Sequence, residues 1–365
     1  TNISGAAINP ALSLNSITGN ELVLTGGFVH GQGVGGEQAG WLVMATMDMN
    51  TGAQVVTQNL TYAQNSVLLP YTRTTVTYGN GLMVIANDVN FKVAAYSTRT
   101  GAKVWETTLT GLNGAAPNNY DLFSLKPYFG NGVLFWEGLG GDLWCQDIKD
   151  GSLRWYTNTT QLIGDPGIET PYGIWPLWVF SCSAVSTDVA YFAIGHEYNP
   201  PLFHGAQLLA VNVTDGKLVW SELGTYIRST EISYGVLLSQ NAYDNKLYAF
   251  GKGPSAVTVS APTVGITTST PITITGTVKD VSAGSKQNEV AANFPNGLPA
   301  ISDEYQSKWM EYVYQQQVKP DHATGVPVTI SVIDANHNER VIGTAISDDS
   351  GAFGLTWTPD ISGDY

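Results

Sequence analysis

Long apolar runs, cysteine and positive charge are all scarce in this chain. No stretch reaches the roughly 18 consecutive apolar residues that a membrane-crossing helix needs, so no helical span is expected. Charged residues make up only 13% of the sequence, with 30 acidic residues against 16 basic ones and a net charge of −14. Such a surface repels phosphate backbones, which excludes nucleic acid as an expected partner. Cysteine occurs twice, at Cys145 and Cys182, too rarely for a disulfide-built scaffold. A thin Cys and Lys content beside four Asn-x-Ser/Thr sequons, at Asn2, Asn59, Asn158 and Asn212, points to an exported glycoprotein, extracellular or at the cell surface. The chain opens at Thr1 with no basic-then-apolar leader and stops in strand-like sequence, so it is expected to be a piece of a longer precursor.

Glycine and aromatics are plentiful instead, with 40 Gly, 10 Trp and 18 Tyr. Turn-rich, aromatic-packed β structure follows more naturally from that mixture than helices do. One pattern organises the first two thirds of the chain. "DMNTGAQVV" (48–56), "STRTGAKVW" (97–105), "DIKDGSLRW" (147–155) and "NVTDGKLVW" (212–220) share a polar residue, a glycine four positions on, and a large apolar residue four beyond that. The polar side chain can bond back to the turn, and glycine supplies a positive φ. Upstream, Met44, Val93, Leu143 and Leu208 fall eight residues before the glycine; Thr46, Ala95, Cys145 and Ala210 fall six before it. This large-small alternation marks a buried strand. Short turns such as "YGNG" (78–81) and "FGNG" (129–132) precede further apolar strands. Four antiparallel strands recurring at this period fit the blades of a β-propeller. The tryptophans would then wedge between blades.

The repeat resembles the PQQ-like repeat of quinoprotein-type β-propellers. The resemblance covers residues 1–253, about four blades and the opening strands of a fifth, an incomplete ring. For the enzymes of that family it implies a PQQ cofactor, calcium, a catalytic aspartate and a disulfide between adjacent cysteines. No adjacent cysteine pair exists here and no aspartate matches the catalytic position, so PQQ is not expected and the repeat reads as scaffold. Cys145 and Cys182 sit in neighbouring blades and either form a stapling disulfide or stay as buried thiols.

All long connections fall on one face: 26–40, 109–127, 163–178 and 195–205. Rigid blades carrying long loops make that face the candidate binding surface. His196, Glu197 and His204 lie in one hairpin, with His30 and Glu37 in another; they either hold a metal or simply belong to a structural hairpin. Tyr172, Trp175 and Trp178 either stack on a sugar or peptide or plug the propeller's mouth.

After 253 the texture becomes Thr/Val/Ser-rich with period-two alternation. Residues 254–365 resemble the immunoglobulin-like repeats of microbial surface proteins, lacking a last strand and interrupted by a helical insertion at 285–325. Ser302 reads as the N-cap of a helix running to about Gln317, with Trp309, Met310, Val313 and Tyr314 as its apolar stripe. Asp348, Asp349 and Ser350 are a candidate calcium turn. The fold class expected is all-β, a PQQ-like β-propeller followed by an Ig-like β-sandwich with a helical insertion. The function expected is non-catalytic: a surface scaffold or adhesion subunit that binds other surface proteins, glycans or copies of itself and assembles into oligomers or filaments. The alternative is an extracellular metal- or quinone-dependent enzyme using the same face.

Overall fold

The computed structural model describes residues 12–28, 39–63, 74–87, 90–118, 120–121, 125–196, 201–226 and 230–365. The chain divides into two compact units, 1–249 and 250–365.

The first unit is a succession of antiparallel sheets, each built from strands consecutive in sequence. Strands β1 (Ser13–Thr18), β2 (Glu21–Phe28), β3 (Ala39–Asp48) and β4 (Gln54–Ala63) form the first. Strands β5 (Thr74–Gly79), β6 (Leu82–Asn87), β7 (Lys92–Ser97) and β8 (Lys103–Thr108) form the second. The third consists of β9 (Leu125–Gly130), β10 (Val133–Gly138), β11 (Asp142–Asp147) and β12 (Leu153–Asn158). A short helix α1 (Thr159–Ile163) and a small hairpin, β13 (Ile168–Thr170) with β14 (Gly173–Trp175), lead to the fourth sheet. Its strands are β15 (Trp178–Val185), β16 (Val189–Gly195), β17 (Gln207–Asn212) and β18 (Leu218–Leu223). Three strands, β19 (Thr230–Ser233), β20 (Val236–Asn241) and β21 (Lys246–Phe250), make the fifth.

The glycine turn repeats almost atom for atom. The Oδ1 of Asp48, Asp147 and Asn212 accepts from the backbone N–H two residues on, at 3.0, 2.9 and 2.7 Å, and the Ser97 hydroxyl does the same at 3.3 Å. Gly52, Gly101, Gly151 and Gly216 hold φ between 69° and 72° and donate back to those residues' carbonyls. A register shift accompanies every copy, just before the turn at Thr46/Met47, Ala95/Tyr96, Cys145/Gln146 and Ala210/Val211. Local hydrogen bonding and one left-handed residue are enough to specify this turn, which is why it survives heavy sequence change.

Packing between sheets uses the same register. Trp105, Trp155 and Trp220 lie directly across from Ala95, Cys145 and Ala210, so the small residue leaves room for the indole. Trp105 Nε1 donates to the Ile148 carbonyl of the next sheet at 2.8 Å, and Trp155 Nε1 donates to Val213 at 2.8 Å. The rings cover the next sheet's turn glycines so closely that an added Cβ on Gly151 or Gly216 would stand 2.5 Å from Trp105 or 2.7 Å from Trp155. Val56 replaces tryptophan in the first sheet and cannot donate. There Thr46 takes over, its hydroxyl giving a 2.6 Å bond to Thr98, the carbonyl matching Ile148 and Val213.

Alternate positions of each second strand thus face opposite neighbours. Val23, Val84 and Phe135 face the following sheet, whereas Met83, Leu134, Trp136, Ala190, Phe192 and Leu237 receive the preceding one. Phe135 and Phe192 meet edge to face across one such boundary at 5.8 Å. Each sheet therefore packs onto the next in turn, as propeller blades do, and not as two opposed layers.

The second unit has a three-stranded sheet of β22 (Ser255–Ser260), β23 (Ile272–Asp280) and β26 (Ala352–Trp357) and a hairpin of β24 (Pro327–Ile333) and β25 (Glu339–Ile346). Their shared core is Ile274, Val278, Ile330, Ala345 and Phe353. Between β23 and β24 stand two helices, α2 (Asn288–Asn293) and α3 (Gln306–Gln315). Trp309 anchors a separate core there with Val290, Leu298 and Ile301, flanked by Met310, Val313 and Tyr314. The expected cap at Ser302 is not formed. Ser302 instead bonds to Thr324, its hydroxyl meeting the Thr324 hydroxyl at 3.4 Å, and α3 starts four residues later without a side-chain cap. The neighbouring Ile301–Gly325 bridge holds Ser302 in extended structure, out of the helix.

Trp155→Ala is expected to cost about 3–5 kcal/mol, the range for emptying a buried aromatic site. Val219→Ala, one residue from Trp220 but pointing to solvent, should stay within about 0.5 kcal/mol. Denaturation followed by tryptophan fluorescence reads both; equal effects would mean that the indole is not packed between sheets.

Candidate functional site

Strand direction alternates within a sheet, so the second-to-third and sheet-to-sheet connections emerge together. The described parts of this face come from 109–118, 120–121, 159–177, 196, 201–206 and 224–226. Their centre is an aromatic cluster. Trp178, at the start of β15, is fully packed, and His196, at the end of β16, stacks on it at 4.6 Å and 29°. Trp175, ending β14, meets His196 edge-on at 4.3 Å and Trp178 at 5.5 Å, and its outer face stacks against Tyr120 at 5.3 Å. Phe203 and Phe180 flank the group. Contacts at these angles fix the rings against one another. The hairpin β13–β14 rises beside the cluster and carries Tyr172, 98% exposed, and the exposed Ile174.

The anticipated residues therefore separate. Trp178 is buried and Trp175 partly buried in this cluster, whereas Tyr172 is exposed. His196 is walled by indoles, His204 is exposed, and Glu197, His30 and Glu37 lie outside the described residues. Among the described residues no group of three His, Cys, Asp or Glu is placed to hold a metal ion. In the second unit Asp348 Oδ1 accepts from the Ser350 and Ala352 backbone at 2.8 and 2.9 Å, and Asp349 pairs with Lys319.

Cys145 is a free thiol in the core, its pKa pushed up to about 12 by burial, which makes it a poor nucleophile. The side chain of Cys182 lies outside the described residues, as does Asn2. Asn59 is exposed on β4; Asn158 caps α1 through Gln161, and Asn212 caps the fourth glycine turn.

A second cluster had no advance signal. Asp121 and Asp142, both buried, meet beside the 138–141 glycine turn. Gly140 N–H donates to Asp121 Oδ1 at 2.6 Å, Asn118 N–H to Asp142 Oδ2 at 3.0 Å, and the Tyr156 hydroxyl to Asp142 Oδ1 at 2.7 Å. A Cβ on Gly138 or Gly140 would collide with Asp121, so the "GLGG" turn is shaped around that carboxyl. Burial, then the charge of Asp142 beside it, holds the Asp121 carboxyl well above the ordinary carboxylate range. A contact with the Asp142 side chain adds to that rise, and Asp121 Oδ2 meets no donor among the described residues. Asp142 in turn joins burial in raising the Tyr156 phenol. A latch of this kind ties the loop to the sheet and offers no open acid or base.

The comparisons with known proteins bear on the repeat. A family model described as outer membrane protein assembly factor BamB, built on PQQ-like repeats, matches residues 42–272. The chain belongs to that family. It shares the family's β-propeller of PQQ-like repeats. Among solved structures, the BamB of Moraxella catarrhalis is 11% identical over 98% of this chain and 99% of that one, with a TM-score of 0.37. A europium-containing methanol dehydrogenase is 12% identical over 66% of this chain and 52% of its own, with a TM-score of 0.40. No curated protein matches this chain in sequence. No helix among the described residues is long and apolar enough to cross a membrane.

Folding raises the Asp121 pKa, so its contribution to stability is complete below the ordinary value of 3.8 and is lost as pH climbs through the folded-state value. Asp121→Asn keeps a donor toward Asp142 and removes the titration. Its urea midpoint, relative to the parent's, should rise as pH climbs from the ordinary carboxylate range through the raised value; a constant difference would show that folding does not raise this carboxyl's pKa.

Proposed function

We propose that this BamB-family chain is a non-catalytic scaffold that binds partner proteins through its long-loop face. The observation that carries the reading is the Tyr172–Ile174 hairpin, exposed and apolar, standing beside a rigid wall of Trp175, Trp178 and His196. A preorganised aromatic anchor loses little entropy on binding, and tyrosine is among the residues that dominate protein interfaces. The family description, an assembly factor for outer membrane proteins, is consistent with protein binding as the trade of the fold. PQQ has no place in this reading, because the adjacent cysteines that the quinone enzymes use are missing from the sequence.

An exported, surface-associated chain belongs to the same proposal, as does an immunoglobulin-like second unit. Glycans are then expected first at Asn59, the exposed sequon, ahead of Asn158 and Asn212, whose amides cap local structure.

A photo-crosslinking residue at position 172, in the native host, should give discrete protein adducts that are missing when it is placed at Lys149 in the opposite-face turn. Against the partner so identified, Tyr172→Ala should weaken binding by about 2 kcal/mol, roughly thirtyfold. Adducts of equal yield from both positions would refute the loop face as the binding surface. Alcohol oxidation by the purified chain supplied with PQQ and calcium would refute the non-catalytic role.

A further inference from the structure

The β13–β14 ribbon has two faces, set by its register. Ile168 lies across from Trp175, and Glu169 lies across from Ile174. Side chains alternate along a strand, so the face that carries Trp175 turns to the aromatic cluster while Glu169 and Ile174 share the other. Both are exposed, Ile174 by 56%, and Tyr172 stands beyond them in the turn. The Thr170 hydroxyl fixes that turn, donating to the Gly173 carbonyl at 2.6 Å and accepting from the Tyr172 N–H at 3.2 Å. Charge is distributed unevenly around the ribbon. The described connections of the loop face carry Asp165 and Glu169 but no Lys or Arg. Lys126, at the start of β9, donates to the Phe180 carbonyl at 2.6 Å, and Arg99, Arg154 and Lys217 are paired near the glycine turns. Asp165 accepts from the Gly167 N–H at 2.9 Å, whereas the Glu169 carboxylate has no partner among the described residues.

We infer that the partner of this hairpin is a basic polypeptide segment, one whose Lys or Arg side chain lies along Ile174 and reaches the Glu169 carboxylate beside the Tyr172 ring. The inference rests on the loop-face reading and says what that face selects. A purely apolar partner would bury the Glu169 carboxylate with no opposite charge, which is costly. An acidic partner would add repulsion. Lysine and arginine answer both needs. Their methylene stems cover apolar surface while the charged head stays polar, and the face of a tyrosine ring attracts a cation. The net charge of −14 favours the approach of such a segment from a distance.

Titration of the full chain with three dye-labelled peptides of equal length, alternating Leu-Lys, Leu-Gln and Leu-Glu, tests this by fluorescence anisotropy. The Leu-Lys peptide should bind tightest and the Leu-Glu peptide weakest. Glu169→Gln should weaken the Leu-Lys peptide by about threefold and leave the Leu-Gln peptide unchanged, and Glu169→Lys should turn the preference toward Leu-Glu. Glu304→Gln, which removes the same charge from an exposed position in the second unit, should change none of the three. Tyr172→Ala should weaken the Leu-Lys peptide too. If Tyr172→Ala weakens binding while both Glu169 variants bind like the parent, the loop face keeps its role and the inference is overturned. If all the hairpin variants bind like the parent, the loop-face reading falls with it. Equal losses from Glu304→Gln and Glu169→Gln would also overturn the inference, since net charge alone would then account for the binding.

Discussion

The fold depends on an indole laid over a glycine. In two successive boundaries a tryptophan from an outer strand crosses to the next sheet, covers its turn glycine and donates its N–H to a carbonyl of that turn. Three needs meet at one place. The glycine must be glycine twice over, for its positive φ and for the missing Cβ, and the residue across from the ring must be small. The ring contributes apolar area on both sides while its single polar atom is satisfied, so little is lost on burial. The first sheet shows what the contact requires: with Val56 in place of the ring, the apolar cover persists and Thr46 supplies the donor.

Rigid boundaries free one face for variation. The opposite turns are short and fixed by local bonding, and the long connections lie at the other end. There the chain spends its aromatics differently. Trp175, Trp178 and His196 stack on each other there, and the buried Asp121 and Asp142 carboxyls accept from Gly140, Asn118 and Tyr156. What stays exposed is the β13–β14 hairpin, with Tyr172 and Ile174 at its surface.

Much of this could be read in the sequence because it is local. A turn whose polar first residue bonds two and three positions ahead leaves its pattern within nine residues, and the small-large column follows from pairing in register. The connection between Asp121 and Asp142 could not be read, because it depends on one connection passing over the turn of another sheet. The only trace was the glycine run at 138–141, whose purpose appears once the carboxyl fills the space. His196 and His204 looked alike by spacing, yet one is packed between indoles and the other faces solvent; side-chain direction in a loop has no short-range rule. Ser302 failed as a cap because a β-bridge at Ile301 claimed its backbone first, tertiary pairing overriding a local preference.

A double-mutant cycle between Trp155 and Gly216 tests the central claim most directly. With tryptophan present, Gly216→Ala should be severely destabilising, because the new methyl meets the ring as well as the unfavourable φ. In the Trp155→Ala background only the backbone cost, about 1 kcal/mol, should remain, giving a coupling energy above roughly 1 kcal/mol. Additive effects, within about 0.3–0.5 kcal/mol, would mean that ring and turn do not touch and that something else joins the sheets.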